Sequence, residues 1–171
     1  MAQKSVSLTN LKKTEVLTMY KKVLVPLDGS ELAECALSYA QNMAKEGSAG
    51  EVIILNVFWA DVSFIGEAAT SMSFDVEDLK KNLLIDSQKY LADVKSRLGS
   101  EGIKVKTESV ECNRPAAAIS EYARENGIDL IIIGTHGYTG LKKLMFGSVA
   151  LEVLHNAHSP VLLIRPESCR I

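Results

Sequence analysis

Two hydrophobic periods alternate along the chain: short apolar runs, and longer stretches in which apolar residues recur at helical spacing. Lys22-Val-Leu-Val-Pro-Leu27 predicts a first strand, closed by the turn and cap signal Asp28-Gly29-Ser30. Ser30 is a natural N-cap for a helix over Glu31–Glu46. Its apolar stripe is Leu32, Ala36, Ala40 and Ala44, with Leu37 and Met43 beside it. Gly47 and Gly50 read as its end. Val52–Phe58 is apolar almost throughout, which predicts a strand buried on both faces. Residues 59–74 have no clear period and read as a long, mobile loop. Asp75–Leu98 predicts a long helix. Ile103–Val110 alternates apolar or small residues with Lys104, Lys106 and Glu108, the pattern of a half-exposed edge strand. Pro115 suits a helix start, where its missing N–H costs little, and Gly127 stops that helix. Asp129–Ile133 is the most apolar strand and is expected at the centre. A glycine-rich turn, a helix to about Ala157 and a last strand over Pro160–Arg165 complete the chain.

Five strands separated by helices predict one α/β domain with a parallel sheet, right-handed crossovers and helices on both faces. Ligands of such sheets bind beyond the carboxyl ends of the strands, where strand order reverses. The turns at Asp28–Ser30 and Gly134–Gly140 have the chemistry for that corner. Placing both in one crevice requires the first and fourth strands to be neighbours, giving the order 3-2-1-4-5.

Length and composition narrow the function classes. The 171 residues suit a single domain that folds without metals or disulfides. A net charge of -2 gives no general attraction to nucleic acid or anionic lipid. Cys35, Cys112 and Cys169 are widely spaced, which predicts reduced thiols. His136, His155 and His158 show no zinc spacing. No apolar run approaches bilayer length, and residues 1–18 lack the apolar core of a signal peptide. The expectation is a cytoplasmic protein with a flexible arm, 1–18, ahead of a domain over 19–171.

The richest segment is Gly134-Thr-His-Gly137-Tyr-Thr-Gly140, continuing to Gly147-Ser148. It is neither a P-loop nor a dinucleotide fingerprint. Its spacing is G-x2-G-x9-G-[ST]. Gly134 would let a ligand approach the backbone, and Gly137 would turn an amide toward an anion. Gly147 and Ser148 open a helix whose free N–H groups and dipole favour phosphate. Residues 138–146, with Lys142 and Lys143, would form a flap. His136 is read as an exposed turn residue. Trp59 and Phe58 follow the second strand and could cover a base, although such residues more often cover a core edge.

These segments carry a family resemblance. Val23-Leu-Val-Pro-Leu-Asp28-Gly-Ser30, Asp129-Leu-Ile-Ile-Ile-Gly134-Thr-His-Gly137, Gly147-Ser148 and Ser159-Pro-Val-Leu-Leu-Ile164 resemble the universal stress protein family in its ATP-binding branch. The resemblance spans about residues 20–166. It implies a Rossmann-like fold of the adenine nucleotide alpha hydrolase-like type, holding ATP or AMP. Asp28 would lie near the ribose and the metal-bearing phosphates, with Mg²⁺ or Mn²⁺ bridging. Pro26 and Leu27 would line the site, and the Val57 backbone would meet the adenine edge. Ile133 and Gly134 would flank base and ribose. Gly137, Gly147, Ser148 and Val149 would hold phosphates. Asn56 departs from the family, where His is common at that position. The resemblance also implies a homodimer through the last strand, with Val161 and Leu163 in the seam.

The resulting expectation is a nucleotide sensor in stress response or signalling, acting on an unknown protein partner and hydrolysing ATP slowly at most. Alternatives are an ATP-using adenylating enzyme on a related fold and a ligand-free dimerisation module.

Overall fold

The computed structural model describes residues 18–60, 76–135 and 147–165. Its elements, in order, are β1 (Tyr20–Leu27), α1 (Glu31–Lys45), β2 (Ala49–Phe58), α2 (Val76–Gly99) and β3 (Val105–Glu111). They continue with α3 (Pro115–Glu125), β4 (Leu130–Gly134), α4 (Ser148–Asn156) and β5 (Val161–Ile164). The arm 1–18 (Thr18 excepted), the loop 61–75 and the segment 136–146 lie outside the described residues.

The sheet has the expected order, β3-β2-β1-β4-β5, and every pairing is parallel. The central strand is β1 rather than β4. Val23–Leu27 is buried on both faces between the two helical layers. One layer packs α1 and α2 on Val23, Val25, Val52, Ile54 and Ile132. The other packs α3 and α4 on Leu24, Ile53, Leu55, Ile131 and Ile133. Burial of these branched side chains is the main favourable contribution to the fold. β3 is the edge strand that its alternation predicts.

Three local readings change. Gly50 does not end α1; it lies inside β2, where an added Cβ would come within 2.9 Å of the Lys21 carbonyl oxygen on β1. Leu32 is exposed, so the inner face of α1 is Ala36, Leu37 and Ala40. Cys35 is disulfide-bonded while Cys112 is a free thiol, so the expectation of three reduced thiols fails at Cys35.

Candidate functional site

The site opens where β1 and β4 part. β1 pairs with β2 as far as Leu27 opposite Asn56, but its pairing with β4 ends at Leu24 opposite Ile131. Pro26 lies just past that last pair and has no N–H to offer a neighbour. The gap is the switch point of the sheet, with β2 and β3 to one side and β4 and β5 to the other.

A cavity of about 360 Å³ fills this corner, within the range of small-molecule sites. Pro26, Leu27 and Asp28 form its floor at the end of β1. Val57 and Trp59 line the β2 side, facing Pro115 and Ile119 of α3. Ile133 and Gly134 of β4, with Ser148 and Val149 of α4, close the other side. Of the expected nucleotide residues, Pro26, Leu27, Asp28, Val57, Ile133, Gly134, Ser148 and Val149 therefore meet at one cavity. Gly147 is buried behind it as the N-cap of α4. Gly137, His136 and the flap lie outside the described residues.

The helix ends around the corner differ in charge. Ser30 caps α1, its hydroxyl accepting from the Ala33 amide at 3.1 Å. Asp28 Oδ1 accepts from the Ser30 amide at 2.9 Å, and Glu31 and Glu34 add negative charge to the first turn. That N-terminus is already satisfied. By contrast, among the described residues α4 begins at Gly147-Ser148 with no capping side chain, and no acidic residue stands in its first turn. Unsatisfied amides at a helix start attract an anion, and the Ser148 hydroxyl adds a donor.

Asp28 thus shapes the turn ahead of α1, whose cap is Ser30, and still borders the cavity. Behind α1, burial pushes the Tyr90 hydroxyl above the ordinary tyrosine range, helped by its donation to Glu34 at 2.9 Å. Among the described residues no cluster of three His, Cys, Asp or Glu could hold a metal on its own. One carboxylate on the cavity floor suits an ion whose other ligands are phosphate oxygens.

Two features escape a reading of the sequence. Gly134 is required by the protein itself, because a Cβ there would come within 2.7 Å of the Leu32 carbonyl oxygen and 3.2 Å of the Ala33 Cα. Close packing of α1 on β4 therefore gives Gly134 a second reason to be glycine, beside its place on the cavity wall. The second is a buried polar chain beneath the floor. Asn56 Nδ2 donates to the Leu27 carbonyl at 2.8 Å, and Ser87 of α2 donates to Asn56 Oδ1 at 2.6 Å. Ser87 is 2.7 Å from the Ser109 hydroxyl of β3. Asn56 is only 8% exposed, so these bonds replace water it does not reach. The mix of a strand position and a side-chain amide partner gives no periodic signal.

A parallel α/β domain with a cavity at its switch point has the architecture in which open sheets of this kind hold their ligands. Residues 19–165 match the universal stress protein family, and the chain belongs to that family. It is similar to universal stress protein MJ0531 of Methanocaldococcus jannaschii, 38% identical over 86% of this chain and 83% of that one. The solved structure of MJ0577 from the same organism aligns with a TM-score of 0.70 at 34% identity, covering 86% of this chain and 97% of that one. A universal stress protein from Arabidopsis thaliana, solved with AMP bound, shares the fold at TM-score 0.60 and 15% identity, over 85% of this chain and 91% of that one.

Proposed function

We propose that this chain binds an adenine nucleotide, ATP or AMP, in the corner cavity, and acts as a nucleotide sensor in stress response or signalling. One observation carries the reading: the cavity has opposite chemistry at its two ends. At the α4 end stand uncapped helix amides and the Ser148 hydroxyl, suited to phosphate. At the other end Val57, Trp59, Pro115 and Ile119 present apolar walls, suited to a flat heterocycle. A nucleotide has this polarity, with a base at one end and an anion at the other. AMP held by a family member of the same fold supports the reading. Residues 19–171 constitute the binding domain.

In the ATP-bound form Asp28 would hold Mg²⁺ or Mn²⁺ through the phosphates, and the ion would neutralise phosphate charge. On this reading the chain hydrolyses ATP slowly at most. Mass spectrometry of small molecules released from gently purified protein is expected to find AMP or ATP, and calorimetry to find saturable binding of added nucleotide. Protein that is empty and binds neither nucleotide would refute the reading.

The same reading includes a homodimer. β5 pairs with β4 on one side only, and among the described residues no strand covers its outer edge. Exposed apolar edges pair with another chain unless protected. Val161 and Leu163 pack partly against the α3–α4 core, while Leu162 is 39% exposed. Leu162→Asp therefore places a charge at the seam without entering the core. Sedimentation equilibrium is expected to change from dimer to monomer with the far-UV spectrum unchanged; Leu163→Asp should also dissociate the dimer, with lower stability. A wild-type monomer would refute the dimer.

A further inference from the structure

We propose that Trp59 recognises the nucleobase and makes the site selective for purines. The inference rests on the nucleotide reading above and adds a residue to it. Trp59 follows β2 directly and borders the cavity beside Val57. It remains 47% exposed, whereas large aromatic side chains are highly buried on average in folded domains. A ring that serves only as core cover would be more enclosed than this. Pro115 and Ile119 line the same cavity, and neither carries a side-chain hydrogen-bonding group.

Among the described cavity-lining residues Asp28 carries the sole charge, and it follows β1 rather than standing on this wall. The Trp59 end therefore offers area and a π-face but no charged group. That environment favours a large, uncharged, planar ring system. A bicyclic purine covers more of it than a pyrimidine does. Trp59 thus selects by contact area, while α4 holds the anionic end without regard to the base.

The chain contains one tryptophan, so its emission reports this position alone. The test titrates the full chain with AMP, CMP and ribose 5-phosphate, following tryptophan emission and measuring affinity by calorimetry. The same titrations are made on Trp59→Leu and Trp59→Phe. AMP is expected to change the emission. Trp59→Leu should weaken AMP about tenfold, the scale of losing one aromatic–base stack. Its affinity for ribose 5-phosphate should stay within twofold of wild type, and Trp59→Phe should recover most of the AMP affinity. In the wild type, AMP should bind more tightly than CMP. AMP binding with unchanged emission, or a Trp59→Leu affinity within twofold of wild type, would overturn the role of Trp59 and leave the nucleotide reading standing. Equal loss for AMP and ribose 5-phosphate would overturn it too, since the residue would then be supporting the whole cavity. No calorimetric binding of AMP or ATP by the wild type would remove both.

Discussion

Gly134→Ala is expected to lower the thermal midpoint by about 6–12 °C. The single added methyl would come within 2.7 Å of the Leu32 carbonyl oxygen and 3.2 Å of the Ala33 Cα. Both are backbone atoms of α1, so no side-chain rotation relieves the contact. The helix must move off β4 or the strand must bend. Overpacking of this kind costs about 3 kcal/mol, and each kcal/mol shifts the midpoint of a domain this size by about 2–4 °C. The same displacement moves the start of α1 relative to Asp28 and Gly134 on the cavity wall, so nucleotide affinity should fall in parallel. Calorimetric melting checks the first effect. A midpoint within 2 °C of wild type would mean that α1 does not pack on β4 as described.

Asn56→Leu is expected to cost about 2–4 kcal/mol, because it removes the partner of two buried groups at once. The Leu27 carbonyl loses its donor and Ser87 loses its acceptor. Each buried group left unpaired costs about 1–3 kcal/mol. Ser87 retains Ser109 as a neighbour, which limits the loss there. Adding Ser87→Ala to Asn56→Leu should cost less than the sum of the single changes by about 1 kcal/mol, because the second change removes a hydroxyl the first has already orphaned. Urea unfolding of the two single variants and the double variant measures this coupling. Additive losses would show that the two side chains do not act as one chain of hydrogen bonds.

The fold was legible because four strands are compact apolar runs, the third-in-chain strand alternates as an edge strand does, and the helices between them carry helical spacing. The order 3-2-1-4-5 followed from requiring the turns after the first and fourth strands to share one crevice, and their described residues Asp28 and Gly134 line one cavity. Strand centrality was misjudged because apolarity measures burial rather than rank in the sheet. β4 is buried through Ile133, yet the broader β1 occupies the middle. Gly50 was misread because a glycine just past a helix resembles a terminator, whereas the reason for it is a strand some thirty residues earlier.

The site divides in the same way. Asp28, Gly134, Gly147 and Ser148 were legible from turn and helix-start chemistry, which is local, while Pro26, Leu27, Val57, Ile133 and Val149 came in through the family resemblance. Pro115 and Ile119 were not, because nothing in their own neighbourhood says that α3 crosses back over the end of β2. For Trp59 the sequence left two readings open, cover for a base or for a core edge, and the structure places it on the cavity wall. Asn56 marked a departure from the family, but its bond to Leu27 joins two strands and has no signature in either.

The late arrival of β4 in the chain has a consequence for how the protein matures. Asp28 and Ser148 stand on opposite sides of the gap between β1 and β4, and only two residue pairs zip those strands together. A nascent chain that has not yet emitted residue 130 possesses half a pocket. Nucleotide cannot guide the early steps of assembly; it can only hold shut a join already made. Added ligand should therefore slow unfolding while leaving the refolding rate nearly untouched.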